Sequence, residues 1–538
     1  MSTKQNALLI GMLFVLLFTA ACGAAAPAAT QAPAATEQPD YYPAATEAPA
    51  ATEAPTIGDL SEAPPSNPNS TQSNSYMPPS NHEPDDMFFK NYGVNPSIDT
   101  VEDHLSTFAL DVDTGSYTIM RNYLKDGNLP PPESVRVEEY VNYFEQGYDN
   151  PPAHQAFGIY VDGGPSPFTQ TERYQMLRVG IQGYQVAEHE RKDAALTFVI
   201  DVSGSMAMDN RLELVKRSLE LLVEGLHSAD TVSIVVYGTE ARVILDPTPG
   251  SDQGTILEAI YSLQPEGVTN AEAGIRLGYK MAMRAFNPEG INRVILCSDG
   301  VANFGETESD VILSEIRHKV EEGVTLTTVG FGMDNYNDVL MEQFADNGNG
   351  FYAYIDDMRE AKRLFIDQIA GTFQTIAMDA KVQVDFNPEV VKRYRLVGFE
   401  NRALADNDFR DDSVDAGEIG AGHSVTALYE VELCPEVEGN IATVFMRWQD
   451  PDTKQVVEIS KDFHTGELQY EFEEANPYFQ RSVVVAEYAE ILKKSYWAEG
   501  SSLAHVYHEA VRISELLPRD NDMNEFMNLI KEAYYLTD

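Results

Sequence analysis

The sequence predicts an α/β protein: a doubly wound, mostly parallel sheet inserted in a β-sandwich, with a C-terminal helical segment and a disordered N-terminal stalk. Three observations predict it. Continuous apolar runs alternate with amphipathic segments between residues 194 and 375, as strands buried on both faces alternate with helices. Period-two segments flank that stretch on both sides. Apolar stripes at helical spacing occupy residues 476–538.

Composition bounds what the chain can do. Its 538 residues allow three or four domains. Apolar residues make up 43%, enough to build real cores, so wholesale disorder is excluded. Lys and Arg total 37 against 85 Asp and Glu, a formal net charge of −48. Such a surface argues against a nucleic-acid partner and against a polybasic grip on anionic lipid. Three cysteines cannot make a disulfide framework.

The N-terminus gives the expected location. Lys4 precedes an apolar run over residues 7–21 that ends in small residues, the layout of a secretory signal and short for a spanning helix. Thr19-Ala20-Ala21-Cys22 resembles a bacterial lipobox, although Thr19 stands where Leu or Val is usual. The resemblance implies cleavage before Cys22 and a lipid anchor on it. It places the protein in the cell envelope, held to a membrane on its extracytoplasmic side by hydrocarbon burial. Residues 23–86 repeat PAAT and are rich in Ala, Pro, Thr and Glu, then in Asn, Ser and Pro. They bury too little apolar surface to offset chain entropy and read as a stalk.

The central region, 194–375, follows in order. Residues 196–200 (LTFVI) read as a strand, 211–226 as a helix, 231–237 (TVSIVVY) as a strand, and 256–263 and 271–286 as helices. Residues 293–297 (RVILC) form the next strand, 309–321 a helix, 324–329 a strand, 338–345 a helix, 350–355 a strand and 358–372 a helix. Strands alternating with helices imply βαβ units, whose ligands sit outside the carboxyl ends of the strands. Polar clusters fall at those ends: Asp201-Val202-Ser203-Gly204-Ser205, Gly267-Val268-Thr269-Asn270 and Ser298-Asp299-Gly300. Two carboxylates and three hydroxyls can converge there. A hard divalent cation wants about six oxygens. A set this short of charge leaves a coordination position that an incoming carboxylate can fill.

Asp201, Ser203, Ser205, Thr269 and Asp299 resemble, position for position, the metal-ion-dependent adhesion site of von Willebrand factor type A domains, Asp-x-Ser-x-Ser followed by a distant Thr and a distant Asp. The resemblance covers roughly residues 194–375. It implies Mg²⁺ or Mn²⁺ bound by Ser203, Ser205 and Thr269 directly, with Asp201 and Asp299 acting mostly through water.

The flanks carry a second resemblance. LSTFALDVDTGSYTIMRNYL and LPPPESVRVEEYVNYF within residues 87–193, and YRLVGFENRAL with DFRDDSVDAGEIGAGHSVTALYEV after residue 376, are similar to regions around this domain in one bacterial lipoprotein family. Read from the residues, 157–161, 174–182, 380–386, 393–398, 425–431 and 442–448 alternate with period two, so strands from both sides assemble one sandwich around the insertion. The β-rich part ends near 475; helices fill 476–538.

Rival readings are weighed at three places. Asp111-Val112-Asp113-Thr114-Gly115 resembles aspartyl-nucleophile tracts and the DTG of aspartic proteases, which would make the protein a hydrolase. The preceding apolar run is short and no second DTG occurs, so the tract reads as a turn with Asp113 or Thr114 capping a helix. His423 in a Gly-rich hairpin reads as structural. Cys297 reads as a core residue not bonded to Cys434. The expected function is then a binding protein rather than an enzyme. It takes a carboxylate on a protein ligand through its bound cation; a scaffold subunit of an envelope complex is the alternative.

Overall fold

The computed structural model describes residues 89–537 apart from 111–112, 153–154, 169–173, 301–305, 333–336, 369–373 and 415. The signal, Cys22 and the whole of the stalk lie outside the described residues. Among the described residues no helix is long and apolar enough to cross a membrane.

Before the central domain come β1 (Ile98–Asp99), β2 (Leu105–Ala109), α1 (Gly115–Lys125), α2 (Val137–Asn142), β3 (Phe157–Pro165) and β4 (Tyr174–Gly183). The central domain runs β5 (Ala194–Asp201), α3 (Arg211–Glu224), β6 (Thr231–Tyr237), β7 (Ala241–Pro249), α4 (Gln253–Tyr261), α5 (Ala271–Ala285), β8 (Ile291–Ser298), α6 (Glu306–Glu321), β9 (Thr325–Gly330), α7 (Asp338–Asn347), β10 (Tyr352–Tyr354) and α8 (Met358–Lys362). Its sheet has the order β10-β9-β8-β5-β6-β7. Every neighbouring pair is parallel except β6 with β7. All eight residues of β5 are buried, because helices cover both faces of the sheet. Leu196, Ile234 and Ile295 pack on one side with Val215 and Leu219 of α3; Val199, Val235 and Leu296 pack on the other with Ile275 of α5.

The sandwich is assembled from both ends of the chain. After the central domain come β11 (Thr375–Phe386), β12 (Val391–Val397), β13 (Gly417–Gly420), β14 (Ser424–Leu433), β15 (Asn440–Gln449) and β16 (Val456–His464). One antiparallel sheet has the order β1-β12-β14-β4-β3, and the other β13-β11-β15-β16 with β2 also on β11. Leu428 of β14 lies opposite Arg178 of β4, and Val382 of β11 opposite Phe108 of β2. Phe108, Val179, Val382, Tyr394, Tyr429 and Trp448 share the core between the sheets. The two chain crossings into the insertion are neighbours: the Lys192 backbone N–H donates to Gln374 Oε1 at 3.1 Å.

The C-terminal helices α9 (Pro477–Leu492), α10 (Leu503–Leu516) and α11 (Asn521–Thr537) pack with α1 and α2 around Tyr117, Tyr140, Phe144, Val484, Tyr488 and Phe526. The helical layer is thus shared between the flanks.

Several local expectations change. The helix expected at 358–372 is α8 followed by a wider π turn, Arg363–Asp367. Thr114 occupies the N-cap position of α1 but its side chain caps nothing. Glu139 of α2 takes that role, Oε2 accepting from Ser116 N–H at 2.7 Å. Asp113 is instead a tie to the central domain, its Oδ1 accepting from Tyr352 N–H at 2.8 Å. Asp111 lies outside the described residues.

Candidate metal centre

β5 and β8 run side by side and in parallel, so Asp201 and Asp299 leave the sheet at the same edge. The first loop folds on itself. Ser203 N–H donates to Asp201 Oδ1 at 2.7 Å, and the Ser203 and Ser205 hydroxyls lie 3.0 Å apart. The Ser298 hydroxyl donates to Asp201 Oδ2 at 3.1 Å, joining the first loop to the third. The Asp299 carboxylate accepts from Arg211 Nη1 at 2.9 Å.

The second loop is stitched to the first by backbone. Glu266 N–H donates to the Val202 carbonyl at 2.5 Å and Gly204 N–H to the Gly267 carbonyl at 3.2 Å. Thr269 follows two residues later, half-buried, immediately before the Asn270 cap of α5. Gly267 has φ +67°, and a Cβ there would fall 1.8 Å from the Thr239 hydroxyl oxygen. Only glycine lets this loop close on Thr239. All three loops that carry the sequence-derived residues therefore meet at one end of the sheet.

The electrostatics of the pair are set by burial and by the closeness of two acids. Asp201 is fully buried, and burial together with the neighbouring Asp299 pushes its carboxyl up to about 6. Burial also raises Asp299, against the Ser205 hydroxyl and the Arg211 guanidinium, which favour its ionised form. Two carboxylates and three hydroxyls, all oxygen donors, fit a small hard divalent cation and offer nothing to a soft one. Such an ion would supply positive charge beside the two carboxylates and a Lewis-acidic coordination position.

Sequence reasoning missed two members. Ser298 was visible as the residue before Asp299, but its bond to Asp201 is a cross-strand contact. Arg211 reads in sequence only as the start of a helix. A separate group, Asp193, His227 and Asp230, brings possible ligand atoms within 4.8 Å of one another at the opposite end of the sheet. Asp230 is already filled: it accepts from Arg191 Nη2 at 2.6 Å, Ala194 N–H at 2.7 Å and His227 N–H at 2.7 Å. That group is a tie between strand starts.

His423 stays neutral. Its ring nitrogens are buried with no hydrogen-bond partner, and burial with nearby Arg293 pushes it down to about 4. Cys297, buried, and Cys434 are free thiols.

The sheet order and the loops at its carboxyl edge define a class: an α/β domain of the von Willebrand factor type A kind. Family models find this domain in the chain. Family models described as von Willebrand factor type A domain, von Willebrand factor, and Uncharacterized protein YfbK, C-terminal, match residues 196–301, 83–178 and 371–536. The chain is 40% identical over 387 residues to Uncharacterized protein YfbK of Escherichia coli, a match covering 71% of this chain and 66% of the relative, slightly under two thirds of its length. It is 24% identical to Uncharacterized protein sll0103 of Synechocystis, over 52% of this chain and 67% of that one. A solved von Willebrand factor type A protein from Catenulispora acidiphila superposes with a TM-score of 0.42 at 16% identity, covering 69% of this chain and 89% of that one.

Proposed function

We propose that this protein is a membrane-anchored, extracytoplasmic binding protein whose central domain captures a carboxylate on a protein ligand through a divalent cation. Asp201, Ser203, Ser205, Thr269 and Asp299 hold Mg²⁺ or Mn²⁺, and a lipid on Cys22 ties the chain to the membrane. Proteins with this domain are generally adhesion or scaffold proteins. What carries the reading is the buried Asp201–Asp299 pair, meeting the Ser203 and Ser205 hydroxyls at the strand ends. The rival hydrolase reading loses Asp113, whose carboxylate is spent on the Tyr352 backbone.

Calorimetry tests the metal. Millimolar Mg²⁺ or Mn²⁺ is expected to bind and to raise Tm in the wild type, and to do neither in Asp299→Asn with its circular dichroism unchanged. Absence of binding to the wild type would sink the proposal. Crosslinking on intact cells with and without EDTA then identifies what is held. Cation-dependent capture of an envelope subunit would point to the scaffold role, and capture of an external protein to adhesion.

A further inference from the structure

We infer that Arg211 sets the balance between cation and ligand at this centre: it weakens the hold on the metal and makes the loaded site more attractive to an anion. The inference rests on the metal reading above and adds a residue to it. Arg211 opens α3, and its side chain is 3% exposed. The chain reaches it through two consecutive left-handed residues, Asp209 at φ 48° and Asn210 at φ 58°. That turn brings Arg211 back under the loop it has just left, with Nη1 on Asp299 Oδ2 at 2.9 Å.

The place is shaped for the guanidinium stem. Gly332, at φ +85° beyond the end of β9, packs so closely that a Cβ there would lie 2.3 Å from Arg211 Nε and 2.5 Å from Cδ. A residue with a side chain at 332 would push Arg211 off Asp299. Among the described residues it is the cation bonded to the acidic pair.

The consequence is arithmetic. Asp201 and Asp299 carry two negative charges, which a divalent cation alone would cancel. With Arg211 the loaded centre is left one charge positive. Arginine stays ionised at any working pH, so the offset is permanent. Guanidinium and metal compete for the charge of one buried carboxylate, and like charges a few ångströms apart repel even where the medium screens them. Metal affinity falls, and an incoming carboxylate meets a net positive site rather than a neutral one.

The test uses the full chain and Mn²⁺ alone, titrated by calorimetry at fixed ionic strength. Arg211→Met is expected to bind Mn²⁺ about tenfold tighter than wild type, the order that loss of one nearby charge allows. Arg211→Lys, which keeps the charge, is expected to stay near wild type. Without metal Arg211→Met should melt lower than wild type, and Mn²⁺ should restore more of its Tm. A residue that merely positioned Asp299 would give the opposite sign, weaker binding on removal. A folded Arg211→Met that binds no tighter than wild type overturns the inference and leaves the metal reading standing. If no variant binds Mn²⁺, both fall. Should Arg211→Met not fold, Asp209→Asn decides. Asp209 is 83% exposed with Oδ2 3.7 Å from Arg211, and asparagine accepts its left-handed backbone. Removing this partial counter-charge should weaken Mn²⁺ about twofold, and an unchanged affinity overturns the inference.

Discussion

Asp201 shows how much chemistry one strand end can concentrate: a buried carboxylate filled by a backbone N–H and a hydroxyl, facing a second acid. Its partners Ser203 and Ser205 were legible because they lie within one short loop, where spacing alone fixes proximity. Arg211 and Ser298 were not, because only tertiary packing brings them to the acids. A half-buried acid offers a clean pH prediction away from the candidate metal centre. Glu487 on α9 is pushed up to about 7, first by burial and then by Glu490 and Glu430, with the Ser501 hydroxyl and Arg395 acting against them. The native carboxyl keeps its proton between the ordinary value near 4.5 and about 7, where the unfolded one has lost it. The native state then binds more protons, so this group's contribution to stability declines as pH rises through that window. Glu487→Gln is therefore expected to raise Tm by a few degrees at pH 8 and to change it little at pH 4, read by thermal melts.

At the scale of elements, the strands of the central sheet were readable where both faces are covered, since burial on both sides leaves an unbroken apolar run. β7 was not predicted. It is an antiparallel edge strand in which only Leu245 is buried and Pro247 and Pro249 interrupt the apolar pattern. β16 escaped for the same reason: its residues are mostly exposed and only Phe463 is buried. The second loop of the candidate centre was visible as a cluster, yet its closure depends on Gly267 meeting Thr239 across a strand turn. Gly267→Ala combines a left-handed backbone with a steric overlap. It is expected to cost about 1–3 kcal/mol of stability and to lower Mn²⁺ affinity, measured by denaturant titration and calorimetry. The antiparallel sandwich was foreseeable from period-two patterning on both flanks, but which strand pairs with which was not, because register is set by long-range packing.

Across the whole molecule the three layers are bound by charge as well as by apolar packing. Arg121 of α1 is 1% exposed and bonds Asp356, Glu360 at 3.2 Å, Glu525 at 3.1 Å and the Tyr143 hydroxyl at 2.8 Å. Lys125 adds Asp356 at 2.6 Å, and Arg363 reaches Asp522 of α11. The end of the central domain is thereby tied to a helix from each flank. Removing the central cation of a buried network leaves its carboxylates uncompensated, which costs about 3–5 kcal/mol. Arg121→Ala should lower stability by that order and speed hydrogen exchange in 356–367 and 521–525, while β15 and β16 keep their protection. Equal exchange in both proteins would mean that packing alone holds the layers.

The pairing of β4 with β14 also sets a timetable. Gln182 donates to the carbonyl of Gly422, 240 residues further along. At about 5–20 residues per second, a growing chain exposes the β3–β4 hairpin for on the order of 10–50 s before its neighbour exists. The central domain, whose strands are close in sequence, can fold within that interval. The hairpin must wait with an open edge, so the sandwich closes only after the central domain it surrounds and needs protection in the meantime.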